Sequence, residues 1–257
     1  MNICRIKLVT FDVTNTILKF RSSPGKQYGE IGALYGVLSD DNVLAANFKS
    51  QWRKMNREHP NFGLKSGVTW QDWWKTVVKG TFTDTQFEVH EKKLDSIATH
   101  LIDLYETSAC WQPCFGVEGL LGYLRQKNKT LGVISNFDPR LGTTLQNTKL
   151  KDYFDFILTS YEVGYEKPDS RIFERAMDES KIPDLRPEEC LHIGDRALID
   201  YVGARNARWH AILVNDKRPD QVWDKYPYVD IKLIFNNLYD LHVYFKNTYE
   251  ELQNQVK

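Results

Sequence analysis

Apolar and polar residues alternate along the chain in two different ways. A short apolar run stops at Asp12, and between about 20 and 110 apolar residues recur every three or four positions, the spacing of amphipathic helices. From Trp111 onward, short β-branched runs alternate with helical patterns. The pattern therefore predicts one strand, then a block of helices, then alternating strands and helices.

The helical block contains four apolar stripes, and many of their residues are aromatic. Thr69 and Asp72 have the spacing of a capping box before the third stripe. Four such helices with no strand between them are typical of a small helical bundle with the aromatic residues in its core. The stripes are Tyr28, Ile31 and Tyr35; Leu44, Phe48, Trp52 and Met55; Trp70, Trp73, Trp74, Val77 and Val78; and Leu94, Ile97, Ala98, Leu101, Leu104 and Tyr105.

The second block has the order of a parallel sheet, because strand–helix alternation implies parallel strands joined by right-handed crossovers. We predict an α/β fold with a Rossmann-like doubly wound parallel sheet, a core of residues 1–19 and 111–257, and an all-helical insertion of residues 20–110 after the first strand. Strands are predicted at 130–134, 154–158, 190–193 and 210–214, with an apolar run at 231–234, and helices at 117–127, 141–148, 170–180, from about 198 and at 238–245.

Composition narrows the class of partner. The 257 residues suit an α/β core with a modest second module, and the 34 basic and 34 acidic residues cancel. No basic field indicates nucleic acid or a membrane as partner, and no protein partner is identifiable. The sequence shows no signal-peptide pattern, no apolar run of membrane length and no zinc-type spacing among its four cysteines. We expect a soluble cytoplasmic protein with reduced thiols, with the nucleus left open.

A polar group follows each of four predicted strands. Because the carboxyl ends of parallel strands lie along one edge of a sheet, we expect these groups to meet in one crevice. Each group alone also has a local explanation as a turn, a helix start or a cap, so the specific signal is the order of all four. The groups are Asp12, Ser135 with Asn136, Glu166 with Lys167, and Asp195 with Asp200.

The chemistry of this set favours phosphoryl transfer. Three carboxylates in a small volume repel one another unless a cation joins them, and Mg²⁺ is the usual partner of carboxylates plus a phosphate. Lys167 adds a positive charge, and the Ser135 hydroxyl can hold a phosphoryl oxygen. Asp12 is then free to attack phosphorus and form an acyl phosphate.

The four segments resemble the motifs of the haloacid dehalogenase superfamily, and the helical insertion resembles its helical cap. Pro-Asn-Phe-Gly and Trp-Trp in the insertion, with Ser-Asn-Phe-Asp138-Pro-Arg140, are similar to the rhythmically-expressed-gene-2-like subgroup, which includes haloacid dehalogenase-like hydrolase domain-containing protein 3. The superfamily motifs are Phe-Asp12-Val-Thr-Asn-Thr16, Val-Ile-Ser135-Asn136, Glu-Lys167-Pro-Asp and Ile-Gly-Asp195-Arg-Ala-Leu-Ile-Asp200.

The resemblance implies a magnesium site. Asp12 would be the nucleophile, and Mg²⁺ would lie between Asp12, the backbone carbonyl of Thr14 and Asp195, with Asp200 in support. By the same resemblance, a cap closes over the crevice and selects the substrate. The loop Pro60–Gly63 is a candidate for contact with substrate, and a plain interhelical turn is the alternative.

The resemblance also implies groups that bind the substrate. Ser135 and Lys167 would bind the transferring phosphoryl group, and Asn136 is carried over as their motif neighbour. Arg140 and Arg196 are further candidates for substrate contact, with surface ion pairs as the alternative for both.

Thr14 departs from the pattern of the superfamily's phosphatases, which usually carry a second aspartate at this place. That aspartate protonates the leaving oxygen and then activates the water that cleaves the acyl phosphate. A hydroxyl group does neither well at neutral pH, and loss of a general acid–base costs about 10²–10⁴-fold in rate. The resemblance therefore implies a weak phosphatase, or one whose aspartyl phosphate persists.

Three functions remain open from the sequence. The first is a Mg²⁺-dependent phosphatase or phosphotransferase acting on a small phosphorylated molecule. The second is a catalytically weak homologue that binds a phosphometabolite or a partner protein. The third is a 2-haloacid dehalogenase, which needs Asp12 but no phosphate chemistry.

Overall fold

The structure is a computed structural model that describes residues 3–83 and 89–254. The residues group into two compact units. The first, which we call the sheet unit, consists of Met1–Lys19, Pro113–Asn136 and Lys149–Lys257. The second, the helical unit, consists of Phe20–Gln112 and Phe137–Thr148.

Short strands provide the framework of the sheet unit. The strands are β1 (Leu8–Phe11), β2 (Leu18–Phe20), β3 (Trp111–Pro113), β4 (Thr130–Ser135), β5 (Phe156–Thr159), β6 (Cys190–Gly194), β7 (His210–Val214) and β8 (Ile234–Phe235). Within the described residues, six of them form a parallel sheet in the order β5-β4-β1-β6-β7-β8. β1 lies between β4 and β6, so the strand order reverses beside it, and ligands bind at such a switch point in open α/β sheets.

Helices account for most of the remaining described chain. In the sheet unit, every residue of β1 and β6 is buried, as expected for a parallel sheet covered on both faces. Phe173 and Trp209 are among its largest fully buried side chains. The α-helices are α1 (Pro24–Leu34), α2 (Asp41–Glu58), α3 (Trp70–Thr83), α4 (Glu91–Leu104), α5 (Val117–Gln126), α6 (Leu141–Asn147), α7 (Ser160–Val163), α8 (Ser170–Glu179), α9 (Val202–Asn206), α10 (Pro219–Lys225) and α11 (Leu238–Asn254).

The predicted fold class is confirmed, since a parallel sheet with flanking helices follows the helical insertion. Several local features were not predicted. β2 and β3 have three residues each, too few to show a period, and together they form a separate two-stranded sheet. The strand predicted at 154–158 is Phe156–Thr159, and the helix after β6 begins as a π-helical turn, Ala197–Tyr201.

The core of the helical unit combines the predicted apolar stripes. Tyr28, Leu44, Phe82 and Ile97 belong to one buried cluster drawn from α1 to α4. The predicted cap at Thr69 is present, because its hydroxyl accepts a hydrogen bond from the Asp72 N–H at 3.1 Å. These four helices therefore form because each has one apolar face that a neighbouring helix can bury.

Residues 137–148 correct the predicted domain boundaries, which placed them in the core. The guanidinium of Arg140 donates two hydrogen bonds to Asp138, at 2.9 and 2.7 Å, and one to the Ile102 carbonyl at 3.0 Å. The Trp74 indole N–H also donates to Asp138 at 2.7 Å. These buried contacts attach the segment to the helical unit. The predicted ranges also include residues 1–2, 84–88 and 255–257, which lie outside the described residues.

The loop Pro60–Gly63 has an unusual backbone. Asn61 and Phe62 have φ values of 49° and 55°, in the left-handed region that costs about 1–2 kcal/mol for a residue with a Cβ. The loop is held by Trp73, whose indole N–H donates to the His59 carbonyl at 2.9 Å and whose ring packs against Phe62. Its contact with substrate stays a prediction.

None of the helices among the described residues is long and apolar enough to span a membrane.

Candidate active site

The nucleophile predicted from sequence lies at the end of the central strand. Asp12 directly follows β1, and its backbone N–H donates to the Ile193 carbonyl of β6 at 2.9 Å. The side chain is buried. On the other side, the Ser135 hydroxyl at the end of β4 donates to Asp12 Oδ1 at 3.1 Å. Two neighbouring strands therefore fix this carboxylate at the switch point of the sheet.

Lys167 joins the groups that come from different strands. Its fully buried ammonium donates to Asp12 Oδ1 at 2.8 Å, to Asp200 Oδ1 at 2.7 Å and to the Ile134 carbonyl at 2.6 Å. Burial opposes its charge, but the two carboxylates outweigh burial and hold the pKa of Lys167 above its usual value. Lys167 is thus a fixed cation beside Asp12.

Asn136 holds Lys167 rather than leaving its amide free for a ligand. Its side-chain N–H donates to the Lys167 carbonyl at 2.9 Å, and its side-chain oxygen accepts from the Lys167 N–H at 2.8 Å. Both polar groups of the amide are used on the backbone of one residue. The two neighbours therefore have different contacts, with Ser135 beside the Asp12 carboxylate and Asn136 on the backbone of Lys167.

Three carboxylates meet at the same edge of the sheet. Oxygen atoms of Asp12, Asp195 and Asp200 all lie within 4.8 Å of one another. Asp195 Oδ1 is buried and has no hydrogen-bond partner among the described residues. Burial, with the charges of Asp12 and Asp200, raises the pKa of Asp195 to about 8. An orphaned oxygen in a set of hard oxygen donors fits a divalent cation such as Mg²⁺.

Several neighbouring polar groups hold the Asp200 carboxylate in place. Its Oδ2 accepts a hydrogen bond from the Arg196 N–H at 2.9 Å, across the π-helical turn. A Cβ at Gly194 would collide with the Asp200 side chain, so glycine is required for this approach. Burial raises the pKa of Asp200, but the charges of Lys167 and the hydrogen bond of His192 outweigh burial and hold it below its usual value.

Thr14 lies in a tight turn directly after Asp12. The Val13 carbonyl accepts hydrogen bonds from the N–H groups of Thr16, Ile17 and Leu18 at 3.1, 3.0 and 2.9 Å. Thr14 is half-buried in this turn. The turn therefore fixes the backbone around Thr14, whose hydroxyl group stands where the resemblance to the superfamily's phosphatases implies an acid.

Two residues of the site were missed by the sequence reasoning. Thr10 in β1 and His192 in β6 are paired in register, and the Thr10 Oγ1 lies 2.9 Å from His192 Nδ1. His192 Nε2 lies 3.3 Å from Asp200 Oδ1 and 3.4 Å from Lys167 Nζ. The available signal was a polar residue inside each of two otherwise apolar strands.

The structure shows the contacts of Arg140 and Arg196, the two arginines that the sequence predicts to contact substrate. Arg140 belongs to the helical unit, where Asp138 and the Ile102 carbonyl occupy its guanidinium and the rings of Trp70 and Trp74 lie about 5 Å away. It forms a buried ion pair rather than the surface pair considered from sequence. Arg196 is exposed and reaches the site through its backbone N–H.

The raised pKa of Asp195 predicts a pH-dependent stability of the metal-free protein. A carboxyl group with a higher pKa in the folded state keeps a proton that the unfolded chain releases, so folding becomes less favourable as the pH rises. In EDTA, the unfolding free energy of wild type relative to Asp195→Asn should therefore fall between about pH 5 and pH 8, by at most about 1.4 kcal/mol per pH unit. Urea unfolding across this range measures the difference.

Added Mg²⁺ supplies the matched test of the same cluster. At about pH 8, MgCl₂ should stabilise wild type more than Asp195→Asn, because a ligand that binds the folded state stabilises it. A wild-type-minus-variant difference that does not change with pH, or equal stabilisation of both proteins by Mg²⁺, would contradict this interpretation of Asp195.

Comparison with known proteins agrees with the geometry. Residues 6–208 match the family of haloacid dehalogenase-like hydrolases. The Rhythmically expressed gene 2 protein of Drosophila melanogaster is 51% identical over 248 residues, which cover 94% of this chain and 95% of the relative. Haloacid dehalogenase-like hydrolase domain-containing protein 3 of Mus musculus is 34% identical over 215 residues, which cover 84% of each chain.

A solved structure shows the same fold. The HAD-hydrolase YfnB from Bacillus subtilis, bound to magnesium, aligns with a TM-score of 0.67 and 19% identity over 94% of this chain and 99% of that chain. The resemblance to the superfamily and to the rhythmically-expressed-gene-2-like subgroup is thereby confirmed. The chain belongs to the family of haloacid dehalogenase-like hydrolases.

Proposed function

We propose that this protein is a Mg²⁺-dependent phosphatase or phosphotransferase that acts on a small phosphorylated molecule through an aspartyl phosphate on Asp12. The observation that carries the proposal is the cluster of Asp12, Asp195 and Asp200, in which Asp12 and Asp200 also pair with the Lys167 ammonium. Three carboxylates and one ammonium leave a negative site, which favours a cation and, through it, an anionic substrate.

The nucleophile has one oxygen free to react. Lys167 and Ser135 both donate to Asp12 Oδ1, and Oδ2 accepts no hydrogen bond from the described residues. Oδ2 is therefore the atom we assign to attack on phosphorus, which forms the acyl phosphate and releases the alcohol. Lys167 and the Ser135 hydroxyl then lie next to the carboxylate of Asp12, to which the phosphoryl group is transferred.

Asp12, Asp195 and Asp200 would hold Mg²⁺, which when bound offsets the charge of the carboxylates and of the phosphoryl oxygens. The protein's own contribution is to keep these oxygens together. Asp200 is fixed by Lys167 and the Arg196 N–H, and Asp195 keeps an oxygen without a partner. Contacts within the protein therefore hold Asp200, and the Asp195 oxygen remains open to a cation.

At position 14, the site lacks an efficient general acid–base for proton transfer. The leaving alcohol needs a proton in the first step, and the attacking water must lose one in the second. Thr14 stands at the position of the acid that does this in related phosphatases, and a hydroxyl group is a poor donor and a poor base at neutral pH. We therefore expect slow turnover and a long-lived aspartyl phosphate. The helical unit is proposed to act as the cap that selects the substrate.

A second function is favoured by the same residue. If Thr14 makes hydrolysis negligible, the protein acts by binding a phosphorylated metabolite or a partner protein. Dehalogenation is less favoured, because hydrolysis of a carbon–halogen bond by Asp12 gives no role to a cluster of three carboxylates.

Hydrolysis of p-nitrophenyl phosphate with and without Mg²⁺ tests the proposal. We expect slow hydrolysis that requires Mg²⁺, and stabilisation of the fold by fluoroberyllate with Mg²⁺, a mimic of the aspartyl phosphate. Asp178→Asn, which changes an exposed carboxylate on α8, serves as the control and should behave as wild type. Metal-independent halide release from a 2-haloacid would show a dehalogenase. Fluoroberyllate binding without turnover would favour the binding function. The absence of both turnover and fluoroberyllate binding would contradict phosphate chemistry altogether.

A further inference from the structure

A hydrogen-bonded pair of polar side chains lies beneath the proposed phosphoryl site. Thr10 and His192 are both fully buried in the centre of the sheet, where β1 and β6 are paired in register. The His192 ring packs edge-on against Phe173, with ring centroids 5.3 Å apart. Apolar side chains would fill this space as well, and polar groups are costly to bury unless they are hydrogen-bonded. The arrangement therefore needs a reason beyond packing.

Counting donors around Lys167 shows which nitrogen of His192 carries the proton. An ammonium group has three N–H donors. Those of Lys167 are used by Asp12 Oδ1, Asp200 Oδ1 and the Ile134 carbonyl, at 2.6–2.8 Å. No donor is left for the longer contact of 3.4 Å between Lys167 Nζ and His192 Nε2. His192 Nε2 consequently fits as a donor rather than as an acceptor.

The neighbours of the ring complete the assignment. With a proton on Nε2, His192 donates to Asp200 Oδ1 at 3.3 Å, and Nδ1 accepts from the Thr10 hydroxyl at 2.9 Å. With the proton on Nδ1 instead, the Thr10 hydroxyl would be left with the Leu191 carbonyl at 3.5 Å, and Nε2 would face Lys167 without a hydrogen. The first arrangement satisfies every donor and is the better one.

We propose that His192 is a positioning residue of the active site, whose Nε2–H, oriented by Thr10, fixes Asp200 and through it Lys167. The contacts form one chain, from the Thr10 hydroxyl to the imidazole, to Asp200 Oδ1, to the Lys167 ammonium and to Asp12 Oδ1. Its effect on catalysis rests on the proposed function, whereas the state of the ring does not.

The state of the ring can be measured without a substrate. In ¹⁵N-labelled protein, long-range nitrogen–proton correlation spectra at neutral pH should show His192 as the Nε2–H form. Thr10→Val, which replaces the hydroxyl with a methyl group of the same shape, removes the donor to Nδ1 and should shift the Nδ1 resonance, while the proton stays on Nε2 beside Asp200 Oδ1. An Nδ1–H form in wild type would overturn the proposal. So would an Nδ1 resonance that is the same in wild type and in Thr10→Val, because Thr10 would then not donate to the ring.

Kinetics of p-nitrophenyl phosphate hydrolysis measure the catalytic effect. His192→Leu removes the donor, and we expect kcat to fall about 10–100-fold with KM within about twofold, as for a lost hydrogen bond to a charged group. His192→Gln places an amide N–H where Nε2 lies and should recover most of kcat. Ile172→Val, a buried change on α8 in the same apolar cluster as Phe173, is the control for packing and should leave kcat unchanged.

The outcomes distinguish the positioning role of His192 from the proposed phosphatase function. Equal kcat in wild type and His192→Leu, or no recovery in His192→Gln, would overturn the positioning role. If His192→Leu does not fold, Thr10→Val takes its place, with a smaller fall in kcat expected. If wild type hydrolyses no phosphate ester, the proposed function fails, and the nitrogen spectra still decide the assignment of the ring.

Discussion

Replacing Thr14 with aspartate is expected to raise the turnover of p-nitrophenyl phosphate by about 10²-fold or more, the range that a general acid–base contributes. The new carboxyl group would stand two residues after the nucleophile, in the turn held by the Val13 carbonyl. From there it can protonate the leaving oxygen and activate the water that cleaves the aspartyl phosphate. Steady-state kcat and the lifetime of the phosphoenzyme, measured in rapid-quench experiments, report the two steps separately.

Thr14→Asn is the matched control, because it has the same shape as the aspartate variant but neither donates nor accepts a proton in catalysis. We expect Thr14→Asn to remain as slow as wild type and its phosphoenzyme to remain long-lived. A rate for Thr14→Asp no higher than that of Thr14→Asn would show that the missing acid is not what limits this protein.

Asp12→Asn is expected to abolish turnover, with a loss of about 10⁴-fold or more, as is typical when a nucleophile is removed. The variant should still fold, because Lys167 keeps its hydrogen bonds to Asp200 and to the Ile134 carbonyl. Phosphate release under single-turnover conditions measures the loss, and urea unfolding checks the fold. The control is Asp178→Asn on the surface of α8.

The residual activities of Asp12→Asn and Asp178→Asn show whether Asp12 is the nucleophile. If Asp12→Asn keeps the wild-type rate, another residue is the nucleophile. If both Asp12→Asn and Asp178→Asn lose activity, the loss does not report on the site.

The convergence of the site was predictable from the sequence for a simple physical reason. Parallel strands end at the same edge, so a polar residue after each strand is carried to one place whatever the intervening chain does. Asp12, Ser135, Lys167 and Asp200 are accordingly joined by hydrogen bonds, although they are far apart in the sequence. Periodicity likewise predicted α1 to α4, because each has one face to bury.

The partners of individual side chains were not predictable, because they depend on tertiary contacts. Asn136 binds the backbone of Lys167, and Arg140 binds Asp138 and the Ile102 carbonyl. Neither contact leaves a periodic pattern. His192 was hidden because one polar residue in an apolar strand has no partner until the register with Thr10 is known. The short strands β2 and β3 were missed because three residues carry too little pattern.

Chemical trapping of the covalent intermediate tests most directly whether Asp12 is the nucleophile. The protein is incubated with acetyl phosphate and Mg²⁺ and then reduced with sodium borohydride, which converts an aspartyl phosphate to homoserine. Peptide mass spectrometry locates the product. We expect homoserine at position 12 in wild type, more of it than in Thr14→Asp, and none in Asp12→Asn. The assignment would be contradicted if wild type hydrolyses acetyl phosphate without forming homoserine at position 12, or if homoserine is found at position 195 or 200.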